Sequence, residues 1–115
     1  MKEAILKKAR DFIKKPEYVL DLEDLSVLWV SEKMASLIGY TSEEMMKQSA
    51  VDFLDDSYTV AEKRKATLVT MDRERGIESY NFKTKSGETK KVTFHYGLVE
   101  YEGGFYEVGE FAEEE

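Results

Sequence analysis

Three stretches in the last third of the chain alternate apolar and polar residues, and they constrain the fold more than any other feature. They span residues 77–85, 88–100 and 105–111, and they are separated by Ser-Gly at 86–87 and Gly-Gly at 103–104. A period of two is typical of a strand with one buried face, and glycine-containing pairs favour tight turns. We therefore predict three sequential antiparallel strands.

The N-terminal segment has the pattern of an amphipathic helix. Apolar residues recur at helical spacing over residues 2–15, and Pro16 stops the pattern. A helix of about four turns is not stable alone in water, so its apolar stripe must pack against another surface. The stripe consists of Ile5, Leu6, Ala9, Phe12 and Ile13.

A hairpin and a short helix are predicted after Pro16. The apolar, β-prone residues 18–22 and 27–30 flank a polar pair at 23–24, which is the pattern of two strands joined by a turn. Ser31 has the side chain of an N-cap, and Gly39 is a helix stop signal. We therefore expect a short helix between these two residues.

The middle of the chain carries two further helix signals. Thr41 followed by Glu44 is a capping box, which predicts a second short helix. The Asp-Asp-Ser run at 55–57 supplies N-cap oxygens for the longest helix, which we predict over residues 58–75. Gly76 is expected to end that helix.

These elements predict one α+β domain, because 115 residues and 13.3 kDa suit a single core. We expect a five-stranded antiparallel sheet with short helices and one long helix over one face. An N-terminal amphipathic flanking helix completes the architecture. The predicted division is a helix at 1–16 and a domain at 17–115.

Composition excludes several functional classes. With no cysteine the chain has no disulfide, Cys-based zinc site or thiol nucleophile, and with one histidine it has no conventional multi-histidine metal site. A net charge of −7 argues against nucleic-acid binding, which needs a basic surface. The sequence contains no apolar run long enough to cross a membrane. We expect a cytoplasmic protein with neither nucleic-acid nor membrane partners.

The order of elements and the residues at their joints resemble the PAS domain family. Residues 30–45, VSEKMASLIGYTSEEM, are similar to the family's strand, short helix, and Gly-Tyr followed by a capped acidic turn. Residues 82–88, FKTKSGE, are similar to its lysine-and-glycine hairpin, and Val108-Gly109 fits its final strand. The resemblance covers about residues 17–112.

Two positions depart from the family pattern. Ser31 stands where many members have Asn, so the capping role is kept but any contact of the amide is lost. Residues 113–115, all Glu, occupy the position of the Asp-hydrophobic-Thr motif that couples many members to an output helix. The resemblance implies a signalling effector, in cis or in trans, but the sequence does not choose between them.

The resemblance implies a cavity between the sheet and the long helix, which in this family senses small molecules, light or redox state. Side chains of the alternating strands and of the long helix are the candidates for its lining, although the same stripes are also typical of a solid core. Arg64 either reaches the cavity edge or keeps its charged head in water. The candidate lining residues are Ala61, Arg64, Leu68, Met71, Phe82, Val92, Phe94, Tyr96 and Phe111.

The usual cofactors of the family do not fit these residues. A covalent flavin needs a cysteine near Ala50, so covalent flavin chemistry is excluded. Haem is not expected, because the predicted long helix contains no histidine. The one imidazole, His95, alternates with Phe94 and Tyr96 and should point to the outer side of the sheet. We expect no cofactor or metal, and an unidentified apolar small molecule is the remaining candidate ligand.

The family also uses flanking helices for dimerisation. The stripe of the N-terminal helix has two surfaces available to it, the outer face of its own sheet or the matching helix of a second chain. We expect a homodimer, with interface candidates Ile5, Leu6, Ala9, Phe12 and Ile13.

Three candidate functions follow from these features of the sequence. The first is a sensory or regulatory input domain of a signal-transduction system, in which a small molecule in an apolar cavity changes the packing of strands or flanking helix. The alternative is a ligand-free dimerisation module, whose cavity is filled by its own side chains. An enzyme is not expected, because the sequence has no histidine pair, no cysteine and no phosphate-binding loop.

Overall fold

The structure is a computed structural model that describes residues 2–46, 48–54 and 75–112. Within these ranges the chain forms three short α-helices, one 3-10 helix and five strands. In chain order they are α1 (Lys2–Ala9), β1 (Tyr18–Asp21), β2 (Val27–Val30), α2 (Glu32–Leu37), α3 (Ser42–Met45), the 3-10 helix (Ala50–Phe53), β3 (Arg75–Lys83), β4 (Thr89–Tyr101) and β5 (Gly104–Phe111).

The five strands form one antiparallel sheet in the order β2-β1-β5-β4-β3. This confirms the predicted fold class. The first strand of the chain therefore lies beside the last, with Tyr18 opposite Gly109. The β4–β5 turn has positive φ at Glu102 (49°) and Gly103 (81°), as a type I′ hairpin requires.

The N-terminal helix is shorter than predicted. It ends at Ala9 rather than at residue 15, and the amides of Phe12 and Ile13 both donate to the Ala9 carbonyl. The amides of Lys14 and Lys15 then donate to the Glu110 carboxylate at 2.8 and 3.0 Å. These long-range bonds replace the helical ones, and they turn the chain onto the sheet earlier than Pro16 alone would.

The predicted long helix, residues 58–75, lies outside the described residues except for its last position. Arg75 already belongs to β3, where it pairs with Gly97. Gly76 therefore lies inside a strand rather than at a helix end. A Cβ at Gly76 would lie 2.9 Å from the Tyr96 ring, so this glycine makes room for a neighbouring aromatic side chain.

The sheet buries side chains on both faces. We call the face under α2, α3 and the 3-10 helix the inner face, and the face under α1 the outer face. The buried inner cluster is Tyr18, Leu20, Val27, Val30, Met34, Ala35, Ile38, Met45, Phe53, Tyr80, Phe82, Val92 and Phe94. The buried outer cluster is Ile5, Ala9, Ile13, Val19, Val99, Tyr106 and Val108.

Contacts between α2, α3 and the β3–β4 hairpin fix the rim of the inner face. Gly39 has a φ of +87°, and its backbone passes so close to the hairpin that a Cβ would lie 3.2 Å from the Lys85 Cβ. The Lys85 ammonium lies 2.9 Å from Glu44 and 5.6 Å from the centre of the Tyr40 ring. The two sequence blocks that resemble the PAS family therefore contact each other, although 41 residues separate Glu44 from Lys85.

The predicted caps form as expected. Ser31 accepts from the Met34 amide, and Thr41 and Glu44 make both bonds of the capping box. The Thr41 amide, and after it the Lys85 ammonium, hold the pKa of Glu44 below its ordinary value of 4.5. Ser31 also donates to the buried Glu17 carboxylate, so this serine joins the start of α2 to the end of the segment preceding β1.

Candidate ligand cavity

A cavity of about 50 Å³ lies between the inner face and the short helices. A single water needs about 10–15 Å³ by this measure, so the cavity is large enough for a molecule of a few non-hydrogen atoms. Its walls come from β1 to β5, α2, α3, the 3-10 helix and the residue after it. The lining residues are Tyr18, Leu20, Val27, Val30, Met34, Met45, Ala50, Phe53, Leu54, Tyr80, Phe82, Phe94 and Glu107.

Aromatic rings form the sheet side of the cavity. Phe94 is 1% exposed, and its ring centre lies 5.0 Å from that of Tyr18 and 6.0 Å from that of Phe82, both in edge-on geometry. Phe111 stacks on Phe94 at 5.8 Å. In an edge-on pair the positive edge of one ring meets the negative face of the other. The sheet side of the cavity is therefore a set of aromatic rings in favourable mutual contact.

Among the described lining residues, Glu107 is the acidic one. It is 1% exposed, and the Tyr18 hydroxyl donates to its Oε2 at 2.5 Å. Buried carboxylates are rare unless other groups satisfy them, because removing the charge from water is costly. The bond joins the first and last strands of the chain across their shared ladder, since Tyr18 pairs with Gly109, two residues after Glu107.

Gly109 makes the Tyr18–Glu107 contact possible. A Cβ at this glycine would lie 2.2 Å from the Tyr18 ring, which therefore lies flat over the glycine backbone. Any larger residue would push the ring away from its place beside Glu107. The glycine that fits the final strand of the PAS pattern thus sets the position of the cavity's polar group.

The predicted lining residues fall into three groups. Phe82 and Phe94 line the cavity. Val92, Tyr96 and Phe111 are at least partly buried but are not among its described lining residues; Val92 belongs to the inner cluster and Phe111 packs against that cluster. Ala61, Arg64, Leu68 and Met71 lie outside the described residues.

Tyr18 and Glu107 were not among the predicted lining residues. Glu107 could have been found from the sequence, because it lies four residues before the predicted lining residue Phe111 and therefore on the same face of the strand. A charged residue in an inward register is a candidate for a buried polar group. This reasoning could not identify Tyr18 as the hydrogen-bond partner of Glu107, because neither strand's sequence indicates that β1 pairs with β5.

The N-terminal helix packs on the outer face of its own sheet, which is one of the two surfaces expected for it. Ile5, Ala9 and Ile13 are buried there, and Leu6 and Phe12 are partly buried against the same cluster. Ile5, Ala9 and Ile13 are therefore buried by contacts within a single chain. The helix is also held by lysine side chains at both ends, where the Lys2 ammonium lies 5.4 Å from the Trp29 ring centre and that of Lys8 lies 5.9 Å from Tyr101.

A groove of about 350 Å³ lies on the outer face beside the end of the N-terminal segment. His95 lines it together with Phe12 and Glu110, so the single imidazole lies on the outer side, as predicted. Ile77, on β3, also lines the groove and is 63% exposed. This groove is separate from the inner cavity, because the sheet lies between them.

The described chain is thus an α+β domain with an antiparallel sheet, short helices on one face and an apolar cavity beneath them. The PAS fold family matches residues 2–107, which include α1, strands β1 to β4 and the first half of β5. The chain therefore belongs to the PAS family, whose domains are sensory modules of signalling proteins. No curated protein sequence matches the chain.

Solved PAS domains share this fold at low sequence identity. The PAS domain of an HTR-like protein from Haloarcula marismortui is 18% identical, with a TM-score of 0.66 over 96% of this chain and 92% of that one. A PAS domain from a two-component sensor histidine kinase is 15% identical, with a TM-score of 0.63 over 95% and 96%. The PAS-B domain of Drosophila melanogaster Cycle with bound ethylene glycol is 11% identical, with a TM-score of 0.67 over 85% and 98%.

Two kinds of feature are absent from the described residues. None of the helices in these ranges is long and apolar enough to cross a membrane. The same part of the chain brings together no group of three or more His, Asp or Glu side chains that could hold a metal ion.

Proposed function

We propose that this PAS domain is a sensory input module that binds a small, mainly apolar molecule in the inner cavity and regulates a signalling partner. The observation that carries this proposal is the cavity itself, whose described walls are apolar apart from the buried Glu107. Pockets that bind small molecules combine an apolar lining with a few placed polar groups. The bound ethylene glycol in the Cycle PAS-B domain supports a ligand of this small size.

Strand β5 offers a route from the cavity to the N-terminal helix. Glu107 faces the cavity, whereas its neighbours Tyr106 and Val108 point to the opposite face and belong to the outer cluster with Ile5. A ligand that shifts β5 would therefore change the surface on which α1 packs. It can do so only if it binds one arrangement of the strand more tightly than the other.

The proposed module has no catalytic activity and no flavin, haem or metal cofactor. It acts in the cytoplasm on a signalling effector, in cis or in trans. The residue types support this part of the proposal, because the chain has no cysteine and only one histidine, which lines the outer groove rather than the cavity.

Native mass spectrometry of freshly purified protein, with a denatured mass control, tests the proposal. We expect an added mass that disappears on denaturation, or a bound mass after incubation with ethylene glycol. Ala50→Leu, and more strongly Ala50→Phe, should fill the cavity and abolish that mass. Ser36→Phe, an exposed position on α2, is the matched control. Binding that survives both folded Ala50 variants would contradict the proposal.

A homodimer is the second candidate function, and the exposed Ile77 favours it. Ile77 lies on β3, which has no second neighbour among the described strands, and it lines the outer groove with the partly buried Phe12. We propose that a second chain covers this groove. Light scattering should show a dimer that Ile77→Lys dissociates, whereas Met46→Lys, at another exposed apolar residue, leaves the mass unchanged. A monomeric parent protein would contradict this.

A further inference from the structure

We propose that the open edge of strand β3 pairs with the same edge of a second copy of this chain, antiparallel and with Ile77 opposite its own counterpart. This pairing rests on the homodimer proposed above, because it describes how the two chains meet. It adds the strand, the register and the bonding groups, which are the backbone amides and carbonyls of residues 75–79.

The two edges of the sheet differ in how much of each is covered. At the β2 edge the Val27 amide already donates to the Gln48 carbonyl at 3.2 Å. At the β3 edge the described contact is an isolated bridge between Leu54 and Phe82, near the end of the strand. Residues 75–79 lie away from that bridge and have no second strand neighbour within the described chain.

The composition of this edge does not protect it from pairing. Natural edge strands are often blunted by lysine or proline, which discourage the approach of another chain. Residues 75–81, RGIESYN, contain neither. Ile77 is 63% exposed, and Ser79, two residues further along the same face, is exposed as well. An edge of this kind offers backbone groups with which another strand can bond.

Side-chain alternation and residue type select the register. In a two-fold antiparallel pair one residue lies opposite its own copy, because other alignments would place inner-face residues beside outer-face ones. Residue 78 is Glu, and like charges directly opposite each other destabilise a sheet. A pair centred on Ser79 would extend to Phe82, where the edge is already occupied. A pair centred on Gly76 would join only residues 75–77, so the centre at Ile77 is favoured.

This register agrees with the position of the outer groove. Ile77 lines the groove with Phe12 and His95. Paired strands of one sheet keep their faces aligned, so Ile77 of the second chain would lie beside the first on the outer face. The two exposed apolar side chains would leave water together, which favours association. The second chain would then border the groove along β3.

Disulfide cross-linking tests the register, because the chain has no cysteine of its own. Opposite residues of an antiparallel pair have Cα atoms about 4.5–5.5 Å apart, which suits a disulfide. Ile77→Cys should therefore form a covalent dimer on mild oxidation. Ser79→Cys is the matched control, since Ser79 is exposed but would lie about 13 Å along the strands from its copy. We expect Ile77→Cys to cross-link at least about tenfold faster.

Hydrogen exchange of the unsubstituted protein tests the same pairing without a variant that could weaken the dimer. Dilution from dimer to monomer should speed exchange in residues 75–79, which lose their bonds to the second chain. Strand β4 should keep its protection, because β3 and β5 bond to it within one chain.

The outcomes separate the pairing from the homodimer itself. A monomeric parent protein would overturn both. If the parent is a dimer but Ile77→Cys cross-links no faster than Ser79→Cys, the β3 pairing is overturned and the homodimer stands. The same conclusion follows if residues 75–79 exchange equally fast in dimer and monomer. Preferential cross-linking through Ile77→Cys, with slower exchange of residues 75–79 in the dimer, would support the pairing.

Discussion

The inner and outer faces of the sheet are built from the same strands but are packed in different ways. The inner face gathers aromatic rings around Phe94 and contains a cavity and a buried carboxylate. On the outer face α1 packs on the sheet, with Ile5 and Ala9 in one buried cluster with Val19 and Val108, and a groove lies beside the end of the N-terminal segment. The outer cluster is built mainly from branched aliphatic residues and a small alanine, whereas the inner face is centred on aromatic rings that meet edge to face.

Because of this difference, the inner face with its helices (the inner layer) and the outer face with α1 (the outer layer) are suited to different roles. The outer layer is suited to holding the flanking helix, and the inner layer is suited to holding a ligand. Strand β5 belongs to both, because Glu107 and Gly109 face inward while Tyr106 and Val108 face outward. Four predictions, from the largest effect to the smallest, test how separate the two layers are.

The largest effect is expected at the centre of the inner face. Phe94→Ala removes the ring against which Tyr18, Phe82 and Phe111 pack, so it should lower the free energy of unfolding by about 3–5 kcal/mol. Urea denaturation measures this change. Phe105→Ala, at a phenylalanine that is 39% exposed on β5, should cost less than about 1 kcal/mol. Similar costs at the two positions would show that the inner ring cluster is not the main core.

The next effect concerns the outer face. Ile5→Ala should destabilise the packing of α1 by about 2–4 kcal/mol, because Ile5 is fully buried against the sheet. Hydrogen exchange should show lost protection in residues 2–13 and retained protection in β4. The exposed Lys7→Ala, which keeps the helical propensity, is the control. Equal loss of protection in β4 would mean that the two layers unfold as one unit.

A smaller effect is expected where the layers meet at Gly109. Gly109→Ala places a Cβ where the Tyr18 ring lies, so the ring must move and the bond to Glu107 must lengthen. The expected loss is about 1–3 kcal/mol, typical of overpacking. In a Tyr18→Ala background the same change should cost much less, because the ring is gone. An additive double-mutant cycle would refute this explanation.

The smallest effect is expected at the rim of the inner face and depends on pH. The pKa of Glu44 is lowered by the Thr41 amide and then by Lys85, so the ionised form stabilises the fold. The contribution of ionised Glu44 to the stability of the fold is complete at pH values above its ordinary pKa of 4.5. It is lost as the pH falls through the lowered pKa. Between about pH 6 and about pH 3, Glu44→Gln should therefore lose less stability than the parent protein. Thermal melts measure this, with Glu88→Gln in the exposed hairpin as the control. A variant that loses as much as the parent would contradict the role of Glu44.

Local signals in the sequence predicted much of the fold. The capping box at Thr41 and Glu44 and the cap at Ser31 each depend on residues within a few positions, and both formed as expected. The turn predicted at residues 103–104 formed one residue earlier, at Glu102 and Gly103. The alternation of apolar and polar residues in the last strands was equally informative. It correctly predicted that Phe82 and Phe94 face inward and that His95 faces outward.

Features that depend on distant residues were not predicted. The N-terminal helix ends early because Glu110, 96 residues from Lys14, accepts the amides after it. The polar group of the cavity depends on Tyr18 and Glu107, which are 89 residues apart. In both contacts, the sequence around one residue does not indicate which distant residue it will meet, so no local pattern could predict them.

Local sequence specifies approximately where the described strands turn, where the short helices begin, and which strand residues share a face. These features are local, because backbone dihedral preferences and capping bonds act over a few residues. Long-range packing specifies that α1 lies on its own sheet, that β1 pairs with β5, and that a carboxylate lies beside an apolar cavity. These features follow from strand register and packing, in which each side chain's surroundings are supplied by residues far away in the chain.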